Sequence, residues 1–146
     1  VILSNSLMHL TFGNDFNQNI ILPNSLTHLT FGIRFDQCVI LPNSLTHLVL
    51  HCDGINIKGL PETLTSITIR NPKISIIENL PNGIKELIIL REPYDFEFKS
   101  KLENLPNSIE RIIIKEKNYK KEWIIYPTSL KYLKIGSNVI DIKSNE

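Results

Sequence analysis

Apolar residues return in the same order about every twenty residues along this chain. Each time, a leucine or isoleucine is followed by a second apolar residue three positions later and by a third two positions after that. Seven segments carry the pattern: SLMHLTF at 6–12, SLTHLTF at 25–31, SLTHLVL at 44–50, TLTSITI at 63–69, GIKELII at 83–89, SIERIII at 108–114 and SLKYLKI at 129–135. Such self-similarity at a fixed period is typical of stacked-repeat proteins.

Prolines mark a corner before these segments. Six of them are separated by 19, 19, 20, 25 and 21 residues: Pro23, Pro42, Pro61, Pro81, Pro106 and Pro127. Ser4 takes the same place in the first unit. A residue before proline is biased toward extended backbone, and the polar residues after it favour a turn. The last two apolar positions of each segment are two apart, so they share one face of a short strand that follows the corner.

About a dozen residues then remain in each unit for the return to the next strand. A three-turn helix would use roughly eleven of them and leave almost nothing for two loops. The pattern therefore predicts a mainly β, leucine-rich-repeat-like solenoid with one curved parallel sheet, about seven coils of 19–25 residues, extended return segments and little helix. We expect residues 1–146 to form a single repeat domain and, since the chain starts at Val1 without methionine, to be a fragment of a longer protein.

Stacked coils predict three apolar ladders in the core. The first is Leu10, Leu29, Leu48, Ile67, Leu87, Ile112 and Leu133; the second is Phe12, Phe31, Leu50, Ile69, Ile89, Ile114 and Ile135; the third is Leu7, Leu26, Leu45, Leu64, Ile84, Ile109 and Leu130. A polar substitution at Leu48 or Ile67 should unfold such an array, because each buried side chain contributes about 1.5–3 kcal/mol of transfer free energy.

Residues that alternate with the core must point outward in two rows. One row is His9, His28, His47, Ser66, Glu86, Arg111 and Tyr132, and the other is Thr11, Thr30, Val49, Thr68, Ile88, Ile113 and Lys134. Exposed apolar residues with a polar rim are typical of partner sites. The predicted partner-binding residues are Glu86, Ile88, Leu90, Arg111, Ile113, Lys115, Tyr132 and Lys134. The other interpretation is that these β-branched residues only satisfy strand preference.

The histidines recur at 19-residue spacing, which stacks His9, His28 and His47 in one line. Three ligands in a straight line cannot surround one zinc ion, so a structural repeat position is favoured over a metal site. A proton-sensitive binding surface is the third possibility, since stacked imidazoles repel once they are charged. The threonine row resembles an ice-binding ladder, but Val49, Ile88 and Ile113 interrupt it.

Composition narrows the remaining classes of function. Sixteen basic and fifteen acidic residues give a net charge of +1, which disfavours nucleic acid as a partner. The apolar runs are far shorter than a membrane span, and neither a signal peptide nor a disulfide framework is indicated by the N-terminus or by Cys38 and Cys52. We expect an intracellular, cytoplasmic protein. Asp15, Asp36 and Asp53 fall at different phases of the coil, so no catalytic or cofactor site is predicted.

The longest unit, between Pro81 and Pro106, contains Tyr94, Phe96 and Phe98. Insertions in repeat proteins usually form surface loops, whereas aromatic residues also fill cores. We expect Phe96 and Phe98 to pack in the core, with Tyr94 a weaker candidate for partner contact. The segment KEKNYKKEW at 115–123 is interpreted as a solvated turn, because its acidic residues offset its charge.

The phrases SLMHLTFGNDFNQNI and SLTHLTFGIRFDQCVI, joined by LPN corners, resemble the FNIP repeat, a unit of about 22 residues found in social amoebae and giant DNA viruses and related to leucine-rich repeats. From residue 51 onward only the LP-x-x-L-x-x-L framework remains. In this family the repeats often follow an F-box. The resemblance therefore implies a role as the substrate-recognition part of an F-box ubiquitin-ligase adaptor.

These patterns favour a non-catalytic protein–protein interaction scaffold with a protein partner of unknown identity. The alternatives are a structural spacer without a specific ligand and a β-solenoid enzyme of unrecognised type. We also expect end-to-end self-association, because an uncapped first coil would expose Leu3, Leu7, Leu10 and Phe12. The polar segment GSNVIDIKSNE should close the other end.

Overall fold

A computed structural model describes residues 2–52, 55–70, 74–90 and 98–142. The strands are β1 (His9–Thr11), β2 (His28–Phe31), β3 (Cys38–Val39), β4 (His47–Leu50), β5 (Asn56–Ile57), β6 (Ser66–Ile69), β7 (Glu86–Ile89), β8 (Arg111–Ile114), β9 (Tyr132–Ile135) and β10 (Asn138–Ile140). One short α-helix, α1, spans Ile74–Glu78, and a 3-10 turn spans Lys121–Trp123. The described residues are thus mainly strand and turn, with little helix, as the repeat length predicts.

The main sheet is built from one strand of each repeat. Its order is β1-β2-β4-β6-β7-β8-β9-β10, and every neighbouring pair up to β9 is parallel. The register aligns equivalent repeat positions, so Leu29 pairs with Leu10 on one side and with Leu48 on the other. On the return side β3 pairs with β5, and Leu102 forms a parallel bridge with Ile124. The prediction of a leucine-rich-repeat-like solenoid with extended returns is confirmed.

The three apolar ladders form the core. In the interior coils their members are at most 1% exposed, as at Leu48 and Ile67. At the first coil Leu7, Leu10 and Phe12 are only half-buried, because only one neighbouring coil covers them within the described residues. Burial of each interior side chain contributes about 1.5–3 kcal/mol, so the stack holds together by contacts between adjacent coils.

In four of the coils, the serine or threonine after the corner ties its coil to the preceding one. Its hydroxyl donates a hydrogen bond to the carbonyl of the leucine or isoleucine that starts the previous segment. The oxygen–oxygen distances are 2.7 Å for Ser25 to Leu7, 2.6 Å for Ser44 to Leu26, 2.7 Å for Thr63 to Leu45 and 2.7 Å for Ser108 to Ile84. These bonds satisfy carbonyl groups that no ladder would reach and set the register of the stack.

The two ends of the stack differ. After β9 the chain reverses at Gly136, whose φ of 58° lies in the left-handed region, and β10 pairs antiparallel with β9. This hairpin closes the C-terminal end with a strand that the repeat pattern does not contain. At the N-terminal end Leu3, Leu7 and Phe12 remain half-buried along the first coil.

The longest unit brings one correction. Phe98 is buried and stacks on Tyr119 with ring centroids 5.3 Å apart, which confirms its core position, whereas Tyr94 and Phe96 lie outside the described residues. The interpretation of 115–123 as a solvated turn is wrong at Tyr119, which is 5% exposed and donates its hydroxyl to the Ser100 carbonyl at 2.7 Å. Burial raises the pKa of this phenol above its usual value. The burial of Tyr119 was missed because the lysines and glutamates around it made the segment look solvent-exposed.

Candidate functional site

The predicted partner-binding residues lie together on the outer face of the main sheet, defined here by the two outward rows and by the residues that follow each strand. Glu86, Arg111 and Tyr132 occupy equivalent positions in β7, β8 and β9. Ile88, Ile113 and Lys134 form the adjacent row of the same strands. Leu90 and Lys115 follow β7 and β8, and their backbone N–H groups donate to Ile69 and Ile89 in the preceding coils. The strands therefore bring all eight predicted residues onto neighbouring positions.

A chain of polar contacts runs along the first of these rows. The Ser66 hydroxyl donates to Glu86 Oε2 at 3.0 Å, and Arg111 Nε lies 3.0 Å from Glu86 Oε1. The Arg111 guanidinium in turn lies 4.3 Å from the centroid of the Tyr132 ring. These contacts fix Glu86 and Arg111 against each other, so neither offers an unneutralised charge to a partner.

A second charge network precedes the same strands, and sequence reasoning missed it. Glu110 lies between Lys85 and Lys131, with Oε–Nζ distances of 3.3 Å and 2.7 Å. Hydrogen bonds from Lys131 and then from Lys85 lower the pKa of Glu110 below its ordinary value. The sequence did contain a signal for this network. Lys85, Glu110 and Lys131 occupy the same position in successive repeats, and the stacking of the coils places them side by side.

The apolar part of the site consists of Ile88, Leu90 and Ile113, called the aliphatic patch below. Ile88 and Ile113 are directly paired in register, so their side chains lie on adjacent strands about 4.8 Å apart. All three are half-buried, which is less exposure than the sequence pattern suggested, because the neighbouring rows cover their flanks. The earlier coils carry Thr11, Thr30, Val49 and Thr68 in this row.

Three basic side chains border the aliphatic patch without an ion-pair partner among the described residues: Arg70, Lys115 and Lys134. Lys134 pairs in register with Ile113, and Arg70 precedes Leu90 by one coil in the row that follows the strands. Arg70 was not predicted as a site residue. Its repeat position, shared with Leu90 and Lys115, was the available signal.

The N-terminal half of the outer face has a different character. The imidazoles of His9, His28 and His47, called the His ladder below, stack in parallel with centroids 4.1 Å apart in both pairs. Nδ1 of His28 lies 2.9 Å from the Thr27 hydroxyl, which also bonds to the Met8 carbonyl at 3.0 Å. Because a hydroxyl has one proton and a carbonyl can only accept, the threonine oxygen accepts from Nδ1–H of His28. The same pair of contacts holds His47 through Thr46.

This arrangement favours the neutral form of His28. Desolvation, then the proximity of His47 and His9, lowers the pKa of His28 below 6.5. The pKa of His51 is lowered by desolvation and then by Arg70. In the described ranges no three His, Cys, Asp or Glu side chains are grouped to hold a metal ion. The geometry therefore fits a structural ladder that resists protonation.

A ridge of isoleucines on the corner side was also missed. Ile2, Ile21 and Ile40 recur every 19 residues and stand out into solvent, with exposed fractions of 101%, 90% and 71%. Cavities of about 400 and 440 Å³ lie between successive members, floored by Leu22, Pro23 and equivalent residues. The 19-residue spacing was the signal that could have revealed the ridge.

Comparison with known proteins relates the chain to a repeat family and to a solved structure. A family model for the FNIP Repeat matches residues 1–32 and 16–53. The fold resembles the crystal structure of CroV588, described as a novel circular LRR protein structure, with 35% sequence identity and a TM-score of 0.56. The alignment covers 91% of this chain and 24% of that chain, so this chain spans about a quarter of that protein. No curated protein matches. Within the described ranges, none of the helices has the length and apolar character needed to span a membrane.

Proposed function

Because the chain is an FNIP/leucine-rich-repeat-like repeat protein, we propose that it is a non-catalytic interaction scaffold that binds a protein partner through the outer face of β7, β8 and β9. The observation that supports this proposal best is the pairing of Ile88 with Ile113 on a face where the same row holds threonine in three of the four earlier coils and Val49 in the other. Solvent-facing aliphatic residues with a polar rim are typical of partner sites.

The polar contacts around the aliphatic patch support a preformed surface. Glu86 and Arg111 hold each other at 3.0 Å, and Arg111 packs over Tyr132. Side chains that are already ordered lose less conformational entropy when a partner binds. A rigid parallel sheet under them keeps the patch in place, since Leu87, Ile89 and Ile112 are fully buried beneath it.

The test replaces the aliphatic side chains with the residue that the repeat uses elsewhere. In the double variant Ile88→Thr, Ile113→Thr, β-branched strand preference is kept while the apolar contact is reduced. The matched control is Thr11→Val, Thr30→Val, in the same row of the first two coils. Each immobilised variant is incubated with lysate of the cells that make the protein, and captured proteins are quantified by mass spectrometry.

We expect one or more proteins captured by the wild type to be lost with Ile88→Thr, Ile113→Thr and retained with the control pair, while circular dichroism shows both variants folded. Equal capture by all three would contradict binding at the aliphatic patch and favour strand preference as the reason for these isoleucines. Absence of any protein enriched over a blank resin would favour a structural spacer.

The resemblance to FNIP repeats supports a finer role within this proposal, substrate recognition for an F-box ubiquitin-ligase adaptor. The experiment is purification of the full-length protein from its own cells under native conditions. We expect ubiquitin-ligase subunits to copurify with the protein. The protein that it recognises for ubiquitination should be absent when the Ile88→Thr, Ile113→Thr variant is purified. Copurification of the partner without any ligase subunit would reject the adaptor role and leave the scaffold role intact.

A further inference from the structure

On the basis of the proposed function, we propose that the partner segment is an extended peptide with aliphatic side chains at its centre and carboxylates on both sides. Charge is distributed unevenly over the outer face of the last four coils. In the rows that flank the aliphatic patch, the acidic residues are Glu86 and Glu110, whereas the basic residues are Arg70, Lys85, Arg111, Lys115, Lys131 and Lys134.

The two acidic residues are already neutralised within the protein. Glu86 accepts from Ser66 and pairs with Arg111, and Glu110 pairs with both Lys85 and Lys131. A carboxylate between two ammonium groups leaves the surroundings positive. The described residues of the outer face around the aliphatic patch therefore carry excess positive charge, although the whole chain has a net charge of only +1.

The remaining cations stand on different sides of the aliphatic patch. Arg70 lies one coil before Leu90, Lys115 one coil after it, and Lys134 one coil beyond Ile113. No carboxylate in the described part of the chain pairs with any of these three. A partner with negative charge at both ends of an apolar centre would complement these three cations.

The dimensions fit a short extended peptide. From the coil of Arg70 to the coil of Lys134 there are three steps between neighbouring strands, or about 14 Å, which is the reach of about five extended residues. Nucleic acid also carries negative charge, but the centre of this surface offers aliphatic side chains, whereas binding of single strands relies on aromatic stacking. The only aromatic residue of these rows in the last four coils, Tyr132, is already occupied by Arg111.

The experiment measures binding of capped synthetic peptides to the intact 146-residue chain by fluorescence anisotropy. The first peptide has an Ile-Val-Ile centre between paired glutamates; the second has paired lysines instead; the third keeps the glutamates around a serine centre. A single-stranded oligothymidine is the fourth probe. We expect the first peptide to bind and each of the others to bind at least about tenfold more weakly, with affinity for the first falling as salt is raised.

The charge variant is Arg70→Gln, Lys115→Gln, Lys134→Gln, and its matched control is Lys58→Gln, Lys120→Gln, Lys121→Gln on the return segments. The first triple change should weaken binding of the acidic peptide about fivefold or more, while the second should leave it unchanged apart from a small salt-sensitive effect. Equal loss in both triple variants would overturn the inference, since it would reflect net charge alone.

Failure of this inference is distinguishable from failure of the proposed function. If the glutamate peptide binds no better than the lysine peptide or the oligothymidine, the assignment of an acidic partner is wrong. The scaffold proposal still stands in that case, provided that Ile88→Thr, Ile113→Thr loses a captured protein that the control pair retains. If neither peptide binding nor differential capture is seen, both are wrong.

Discussion

The imidazole rings of His28 and His47 stack with their centroids 4.1 Å apart and their planes 7° from parallel. This contact belongs to the His ladder, in which Nδ1–H of each of these two rings donates to the threonine hydroxyl just before it. In a neutral ring with this tautomer the remaining nitrogen, Nε2, carries no proton. Protonation there would place positive charges in adjacent rings of one stack, which is electrostatically unfavourable.

We therefore expect the folded protein to lose stability as the pH falls. The pKa of His28 in the folded protein lies below 6.5, because of desolvation and of His47 and His9, whereas the unfolded chain titrates near 6.5. The stability that neutral His28 contributes to the folded protein is therefore fully present above pH 6.5 and is lost as the pH falls below that value. His51, whose pKa is also lowered, acts in the same direction. Glu110 acts later, because its lowered pKa matters only below its ordinary value of 4.5.

The measurement is thermal unfolding between pH 8 and pH 5. The melting temperature of the wild type should fall as the pH drops through 6.5. The melting temperature of His28→Gln should fall less, because this variant lacks the central ring of the His ladder. As a control, Ser66→Gln alters the next position of the same row and should leave the pH dependence unchanged. Identical pH profiles for wild type and His28→Gln would show that the His ladder does not resist protonation.

The core ladder predicts a sharp contrast between two adjacent residues. Ile67 is fully buried between Leu48 and Leu87, whereas Thr68 points to the outer face. Ile67→Ala should lower the free energy of unfolding by about 2–5 kcal/mol through lost transfer energy and a cavity. Thr68→Ala should stay within about 0.5 kcal/mol of the wild type. Urea unfolding followed by circular dichroism compares them, and similar midpoints for both would contradict the ladder.

The sequence predicted the parts of the fold that repeat. The L-x-x-L-x-L pattern determines which residues face inward, so the placement of Ile67 and of the outward rows, His28 included, agrees with the structure. Segments without a repeat equivalent could not be predicted in this way. The antiparallel β10 depends on the reversal at Gly136, and the burial of Tyr119 depends on Phe98, which comes from a different coil.

The candidate site was predicted in position but not in detail. Repeat phase alone places Ile88, Ile113 and Lys134 on one face, whereas the degree of burial depends on side chains of neighbouring rows. The pairing of Glu110 with Lys131 at 2.7 Å could be suspected only after the coils were stacked. Arg70 was overlooked because the predicted site was limited to the coils of β7, β8 and β9, whereas Arg70 follows β6, one coil earlier.

The glycines that follow Phe12 and Phe31 provide a matched pair of mutations. A Cβ on Gly32 would lie 2.6 Å from the Gly13 carbonyl carbon and 2.7 Å from the Asn14 Cα, and nearer still to the Gly13 carbonyl oxygen. A Cβ on Gly13 would meet nothing within 4 Å. Gly32→Ala should therefore destabilise the chain by about 1–3 kcal/mol, because backbone must shift. Gly13→Ala should be neutral or slightly stabilising. Thermal unfolding of both variants tests this prediction. Equal melting temperatures would mean that the first two coils lie further apart than the structure shows.

For the 146-residue chain studied by itself, the first coil predicts end-to-end association. Thr27 and His28 donate their backbone N–H groups to the Met8 carbonyl at 2.8 and 3.0 Å, and Thr46 and His47 do the same to Thr27 in the next step. Met8 and His9 hold the equivalent donor positions at the N-terminal end, beside half-buried Leu3, Leu7 and Leu10. An uncovered strand edge with apolar side chains favours pairing with another chain.

Sedimentation velocity over a range of concentrations tests this association. The wild-type chain should form dimers or larger species as concentration rises, because burial of the first coil removes its apolar side chains from water. Leu7→Glu places a carboxylate at that end and should give a monomer, whereas Val139→Glu, on the exposed side of β10, tests whether the other end takes part. If only the N-terminal ends meet, Val139→Glu associates like the wild type; if each N-terminal end docks on a β10 hairpin, both variants are monomeric. A wild type that stays monomeric at every concentration contradicts the prediction.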